Sequence, residues 1–243
     1  MKNTNTRLTG LIYRIPYKFW RCLPDSLREY VYKRKSLNRL KAGVRDAAAS
    51  LAGRDDVYNS DYYDLVDKMA RNSVGSIASS VHVEFSPLTV VDVGCGTGAL
   101  LAEFRQLGIF GRGYEYSEAA LNYCRQRGLD VVKFDLTSDV AEVDRQFDVA
   151  ISTEVAEHIE ATYADRLVDF LVSRSRVVVF TAATPGQGGG VDHVNEQPHN
   201  YWIQKFCIRG YIHEKRLSEM WRLKWAKQSV EACYHKNIMV FRK

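Results

Sequence analysis

The chain has 243 residues, of which 46% are hydrophobic and 26% are charged, and its formal net charge at pH 7 is +5. This composition excludes a disordered protein, and the length suits one domain with an appendage. No apolar run is long enough to span a bilayer, and charged residues interrupt the apolar ones near the N-terminus, so we expect a cytoplasmic protein without a secretory signal.

The cysteines do not form a recognisable framework. There are five, and no two of them stand in a Cys-x-x-Cys pair: Cys22, Cys95, Cys124, Cys207 and Cys233. An odd, scattered set argues against structural disulfides and against a thiolate zinc site. The pattern therefore favours a reducing compartment.

The positive charge is concentrated near the N-terminus. Residues 1–43 contain eleven Lys/Arg and two acids, with aromatic residues interleaved, whereas residues 44–243 carry a net charge of −4. We therefore predict a helical, basic and aromatic extension over 1–43 and a main domain over 44–243. Three roles stay open for the extension: a lid on the main domain, peripheral contact with an anionic membrane surface, or contact with a nucleic-acid backbone.

Beyond the extension, the pattern predicts regular alternation of secondary structure. Residues 43–87 read mainly as helices. Strands then follow at 89–93, 112–116, 130–134, 146–151, 176–181, 211–215 and 237–242. The intervening helices are predicted at 98–107, after Ser117, at 162–173, at 200–209 and at 216–226. This alternation predicts an α/β fold with a doubly wound, mostly parallel sheet.

A glycine-rich turn joins the first strand to its helix. Gly94, Gly96 and Gly98 occupy alternate positions there, where the chain turns sharply and a ligand can approach the backbone and the helix N-terminus. The second strand leads to Glu115, which lies 21 residues after Gly94. In nucleotide-binding α/β folds an acid at about 20 residues binds ribose hydroxyls.

Two further motifs follow in order, at 134–136 (Phe-Asp-Leu) and at 147–159. Together with the glycine turn and Glu115, they resemble the class I S-adenosylmethionine (SAM)-dependent methyltransferases over residues 55–243. The resemblance implies a seven-stranded Rossmann-like sheet whose last strand is antiparallel, and SAM as the cofactor. It implies a SAM site formed by Asp92, Gly94, Cys95, Gly96, Gly98, Glu115, Tyr116, Asp135, Leu136, Thr153 and Glu154.

Within this site the resemblance suggests individual roles. The glycines would lie near the methionine part of SAM, Asp92 near its amino group and Glu115 on the ribose. Tyr116, Asp135 and the Leu136 amide would contact the adenine, and Thr153 and Glu154 would lie beside the methyl donor. Tyr58, Tyr62 and Tyr63 are candidates for the pocket wall, with core packing as the alternative.

The sequence Glu154-Val-Ala-Glu157-His158 is the most distinctive local cluster. In a helical turn its two acids and the histidine share one face, and such a set suits a divalent cation. The arrangement resembles the metal-binding motif of small-RNA 3′-terminal 2′-O-methyltransferases and the corresponding motif of ubiquinone-pathway O-methyltransferases. Two interpretations stay open. Either Glu154, Glu157, His158 and His193 bind Mg²⁺ or Mn²⁺, or the acids favour a helix N-terminus and a histidine acts as a plain base.

The segment 182–199 is rich in glycine and polar residues and is predicted to bind the acceptor. It contains His193 and His199, which join His158 as candidate catalytic bases, and its pattern looks like a bacterial methyltransferase family associated with glycan or secondary-metabolite pathways. We therefore expect an O-methyltransferase acting on a hydroxyl of a small molecule, sugar or glycan-lipid. An RNA 2′-O-methyltransferase, an N-methyltransferase and a non-catalytic SAM-binding protein are the alternatives; the acidic main domain and the lack of a recognisable RNA-binding module weigh against RNA.

Overall fold

The computed structural model describes residues 58–139, 145–187 and 192–243. The chain divides into two compact units, and the larger comprises Tyr58–Pro185 and Val194–Lys243. Of the smaller unit, only residues 186–187 and 192–193 are described. The extension predicted over 1–43 and its helix therefore lie outside the described residues, and the predicted boundary at residue 43 stays a prediction.

The larger unit consists of alternating strands and helices. Its strands are β1 (Thr89–Val93), β2 (Phe110–Glu115), β3 (Asp130–Lys133), β4 (Val149–Thr153), β5 (Val177–Thr181), β6 (Ile212–His213) and β7 (Met239–Arg242). Its helices are α1 (Ser60–Phe85), α2 (Ala99–Gln106), α3 (Glu118–Gln126), α4 (Ala164–Arg174), α5 (His199–Cys207), α6 (Lys215–Lys227) and α7 (Ala232–Asn237). Two short 3₁₀ helices, Ala156–His158 and Ala161–Tyr163, follow β4.

The strands form one seven-stranded sheet in the order β3-β2-β1-β4-β5-β7-β6. The pairs from β3 through β5 are all parallel, whereas β7 is antiparallel to both of its neighbours. The predicted fold class is thereby confirmed, including the antiparallel last strand. Strand order reverses between β1 and β4, and in doubly wound sheets ligands bind at this place, beyond the carboxyl ends of the strands.

Alternating strand residues fill two hydrophobic layers, one on each face of the sheet. On one face Val91 and Phe180 pack with α4 and α5, and this layer contains the fully buried Trp202. On the other face Val90 packs with α1, α2 and α6, and this layer contains Trp221 and Trp225. Burying an apolar side chain such as that of Val90 or Phe180 stabilises the fold by about 1.5–3 kcal/mol. Packing on both faces holds the strands in place, and the strands in turn position the loops that follow their carboxyl ends.

The fourth strand begins later than predicted. It covers Val149–Thr153 instead of 146–151 because the residues before it make other bonds. The Asp148 carboxylate accepts hydrogen bonds from the backbone N–H groups of Leu88 and Thr89, each at 2.9 Å. This acid therefore ties the start of β1 in place, and the strand extends to Thr153 at the carboxyl edge.

The end of the chain also differs from its prediction. The predicted strand 237–242 begins only at Met239, and the short helix α7 ends at Asn237.

Among the described residues, no helix has the length and apolar character needed to cross a membrane.

Candidate cofactor and methyl-transfer site

The glycine turn lies directly after β1 and has a left-handed backbone. Gly94, Gly96 and Gly98 have φ values of 75°, 53° and 74°. The N–H groups of Gly94 and Cys95 donate to the Tyr114 carbonyl at 2.8 and 3.2 Å, which anchors the turn on β2. A Cβ at Gly98 would stand 2.5 Å from Leu129 Cδ1, whereas one at Gly96 would meet no atom within 4 Å. The backbone at Gly96 therefore borders open space.

Glu115 ends β2 and points to this turn. Its side chain is almost fully buried, and its Oε2 accepts a hydrogen bond from the Gly96 N–H at 3.0 Å. Its Oε1 accepts one from the Ser117 N–H at 2.8 Å. The carboxylate predicted to bind ribose thus lies beside the open face of Gly96, and it links the turn after β1 to the turn after β2.

Asp92 lies in β1 below the turn and is buried. Burial, together with the nearby charge of Glu115, raises the pKa of Asp92 to about 7. A buried acid with this pKa is stabilised in its charged form by a cationic ligand. Its predicted role toward the amino group of SAM agrees with this environment.

The aromatic side chains of Tyr58, which precedes α1, of Tyr62 on α1 and of Tyr116 after β2 pack edge to face. The Tyr58 ring lies 5.1 Å from the Tyr62 ring and 5.9 Å from the Tyr116 ring, measured between centroids. Tyr63 is buried, and burial together with the charge of Glu115 raises the pKa of its hydroxyl. The three tyrosines predicted for a pocket wall therefore lie in one cluster with Tyr116.

Asp135 and Leu136 follow β3. The Asp135 Oδ1 atom accepts hydrogen bonds from the Thr137 N–H at 2.8 Å and from the Thr137 hydroxyl at 2.7 Å. Leu136 is buried in the hydrophobic layer that contains Phe134. Asp135 thus stabilises a local turn, and the predicted contacts of both residues with adenine stay predictions.

The acidic motif begins where β4 ends. Thr153 is the last residue of the strand, and Glu154 has a left-handed φ of 54°, unusual for a residue with a side chain. The Glu154 N–H donates to the Thr181 carbonyl at 3.2 Å and to the Thr181 hydroxyl at 3.0 Å. Glu154 thus precedes the 3₁₀ helix Ala156–His158, whereas Glu157 and His158 belong to it.

Both acids of this motif are buried. Glu157 has no exposed surface, and neither of its carboxylate oxygens makes a well-formed hydrogen bond. Burial raises the pKa of Glu154 to about 7, and burial together with the Glu154 charge raises the pKa of Glu157 well above its ordinary range. Two such carboxyl groups share a proton or attract a cation.

The candidate bases lie in different surroundings. The His158 Nδ1 atom is 3.1 Å from the Tyr58 hydroxyl, and the two rings meet edge to face. His199 begins α5, and burial lowers its pKa, so its imidazole is neutral at pH 7. His193 belongs to the smaller unit and directly precedes Val194 in the chain, and its role stays a prediction.

Asn237 is a site residue that the sequence analysis missed. It ends α7, is buried, and its Nδ2 donates to Glu154 Oε1 at 3.4 Å. A hydrogen bond with Asn237 also acts to raise the pKa of His199, although burial outweighs it. The residue thus connects Glu154 with His199. A single asparagine before the last strand forms no sequence pattern that would indicate this role.

The sheet order, the glycine turn and the acid at the end of β2 together define the class I SAM-dependent methyltransferase fold. Residues 82–183 match the family model described as "Methionine biosynthesis protein MetW". This match covers less than half of the chain.

Curated relatives match over stretches of up to about the same length. The chain is 32% identical over 84 residues to the ubiquinone biosynthesis O-methyltransferase of Stutzerimonas stutzeri (strain A1501), and the match covers 32% of this chain and 36% of the relative. It is 32% identical over 101 residues to the protein of the same name from Ruegeria pomeroyi, covering 39% of this chain and 41% of the relative. The matches thus span well under half the length of these relatives.

Solved structures confirm the fold. Magnesium protoporphyrin IX methyltransferase from Synechocystis PCC 6803, with bound S-adenosylhomocysteine (SAH), has a TM-score of 0.54 and 17% identity, over 65% of this chain and 88% of that one. An O-methyltransferase family protein from Burkholderia thailandensis has a TM-score of 0.55 and 12% identity, over 75% of this chain and 58% of that one.

Proposed function

We propose that the chain is a SAM-dependent O-methyltransferase that transfers a methyl group to a hydroxyl of a small molecule, sugar or glycan-lipid. The observation that carries the proposal is the pairing of Glu115 Oε2 with the Gly96 N–H at 3.0 Å, beside a glycine that faces open space. A carboxylate accepts hydrogen bonds from both hydroxyls of a ribose, and a bare backbone lets the ligand approach closely. The named curated relatives, both O-methyltransferases, support the same chemistry.

SAM fits the residues that are present. The open side of Gly96 leaves room for the cofactor beside Glu115, and the buried Asp92 suits an ammonium group. SAM would supply an activated methyl group, so the task of the protein is to position the acceptor and remove its proton.

His158 is the base that the geometry favours. With a proton on Nδ1 donated to the Tyr58 oxygen, the ring carries its lone pair on Nε2, where it accepts a proton from the acceptor hydroxyl. Tyr58 fixes the ring through this bond and through the edge-to-face contact. His193 and His199 remain candidates for the same step.

A divalent cation fits the acidic motif. The two Glu157 oxygens lack well-formed hydrogen bonds, and carboxylate with imidazole suits Mg²⁺ or Mn²⁺. In this alternative Glu157 and His158 would hold the ion, the sequence motif adds Glu154 and His193, and His158 would be a ligand instead of the base. When bound, such an ion polarises an acceptor hydroxyl and lowers its pKa.

Methyl transfer from labelled SAM to a panel of sugar, phenolic and RNA hydroxyls tests the proposal. We expect product with a sugar or phenolic acceptor, and we expect His158→Gln to abolish it while His82→Gln, at an exposed position on α1, does not. Methylation of RNA alone would replace the proposed acceptor class, and tight SAM binding without turnover on any acceptor would contradict the enzymatic assignment.

The metal is tested with the same assay. We expect activity to be lost in chelator and restored by Mg²⁺ or Mn²⁺. Activity that is unchanged in stripped enzyme would refute the metal and leave His158 as a plain base.

A further inference from the structure

Helix α1 carries a buried acid that no part of the proposed chemistry uses. Asp67 is only 4% exposed, and Tyr63, Ala70 and Val74 on the same side of the helix are buried with it. A carboxylate in such a position is costly unless it is paired and hydrogen-bonded. Its partners therefore indicate why it is there.

Asp67 binds the glycine turn and the end of α3 at once. Its Oδ1 accepts a hydrogen bond from the Thr97 hydroxyl at 2.8 Å and one from Arg127 Nη2 at 2.7 Å. Arg127 Nη1 also donates to the Thr97 carbonyl at 2.6 Å. Thr97 is thus held through both its side chain and its backbone, in a closed set of three residues from three segments.

The remaining oxygen of Asp67 faces away from the turn. Its Oδ2 accepts from Arg71 Nε at 3.1 Å and from Arg71 Nη2 at 2.9 Å, one helical turn along α1. Burial acts to raise the pKa of Asp67, but the hydrogen bonds from Arg127, Thr97 and Arg71 outweigh it and lower the pKa. The carboxylate is therefore charged at neutral pH.

Thr97 stands between Gly96 and Gly98, so the turn is held from two sides. On one side Glu115 accepts the Gly96 N–H, and on the other side Asp67 and Arg127 hold Thr97. A segment with three glycines loses much conformational freedom when it is ordered. Bonds that order it before the ligand arrives lower the cost of binding.

We propose that Asp67 and Arg127 are positioning residues that set the affinity for SAM by fixing Thr97 and, through it, the glycine turn. The inference rests on the proposed function, because it assumes that the turn binds SAM. Since α1 also carries Tyr62 and Tyr63, the hydrogen bond between Asp67 and Thr97 positions this helix relative to the turn.

The test measures SAM and SAH binding to the full chain by calorimetry at low temperature, with thermal unfolding of the ligand-free protein recorded in parallel. We expect Asp67→Ala and Thr97→Val each to weaken binding by about ten- to hundredfold, the loss expected for a hydrogen bond to a charged group. Thr97→Ser keeps the hydroxyl and should bind as the unaltered protein does. Arg71→Ala is the matched control, since it removes a partner of Asp67 that does not touch the turn.

A double variant separates positioning from simple stability. If Asp67 acts through Thr97, Asp67→Ala combined with Thr97→Val weakens binding little more than either change alone. A purely structural role would lower the unfolding temperature without changing the dissociation constant of the folded protein, and this result would overturn the inference. Failure of the unaltered chain to bind SAM would instead overturn the proposed function.

Discussion

The same substitution is predicted to have different effects at two glycines of the turn. Gly96→Ala places a methyl group where no atom lies within 4 Å, whereas Gly98→Ala places one 2.5 Å from Leu129 Cδ1 and 2.9 Å from Cys124 Sγ. Both positions have a left-handed backbone, which costs an alanine about 1–2 kcal/mol. Only Gly98→Ala adds overpacking, which costs a further 1–3 kcal/mol or so.

The free energy of unfolding should therefore fall by about 1–2 kcal/mol in Gly96→Ala and by about 2–5 kcal/mol in Gly98→Ala. At Gly96 the larger effect should be on SAM binding, because the new methyl group would occupy the space beside Glu115 where the cofactor is proposed to lie. We expect Gly96→Ala to lose measurable SAM binding while it remains folded. Chemical denaturation and calorimetric titration with SAH measure the two effects separately.

Either of two results would contradict this prediction. If Gly96→Ala bound SAH as tightly as the unaltered protein, the cofactor would not lie against Gly96. If the two variants were equally destabilised, the crowding around Gly98 would not be energetically significant.

Three further predictions concern the residues around the turn. The pKa of Asp92 is raised from 3.8 to about 7 in the folded protein, so its stabilising contribution is complete below pH 4 and is lost as the pH rises toward 7. The free energy of unfolding of Asp92→Asn should therefore exceed that of the unaltered protein by at most about 4 kcal/mol at pH 8, and the two free energies should be equal near pH 4. A difference that does not depend on pH would contradict this. Glu115→Gln should weaken SAH binding by about tenfold or more, measured by calorimetry, since an amide cannot accept the Gly96 N–H and ribose hydroxyls as a carboxylate does; unchanged affinity would exclude Glu115 from the ribose site. Tyr58→Phe keeps the ring contacts but removes the hydrogen bond to His158. Turnover should therefore fall by about tenfold, with a small change in unfolding temperature. Unchanged turnover would show that this hydrogen bond does not position the base.

Much of the sheet and part of the site were predictable from the sequence because they depend on local patterns. A run of β-branched residues before Gly94 predicts a buried strand, and an acid at the end of the next strand follows from its spacing. The start of β4 was misplaced because the apolar Phe147 lies close to the apolar run that begins at Val149, although the intervening Asp148 side chain binds the start of β1 instead. Sequence periodicity does not show such a contact, since its partners lie about 60 residues away.

The residues that the sequence did not reveal make their contacts far along the chain. Asp67 and Arg71 stand four positions apart, which is typical of an exposed ion pair on a helix, yet Asp67 is buried against Thr97. Asn237 lies in a helix of six residues, too short to produce a periodic pattern, and reaches Glu154 across 83 positions. In both cases the tertiary fold gives the residue its environment.

The two core layers contain separate optical probes. Trp202 is buried on one face of the sheet, and Trp221 and Trp225 stack on each other on the opposite face with 5.4 Å between their ring centroids. After replacement of Trp20, Trp202→Phe leaves emission from only one layer, and a variant with phenylalanine at both 221 and 225 leaves emission from only the other. Fluorescence from these two proteins reports whether the helices on the two sides of the sheet melt together or in succession.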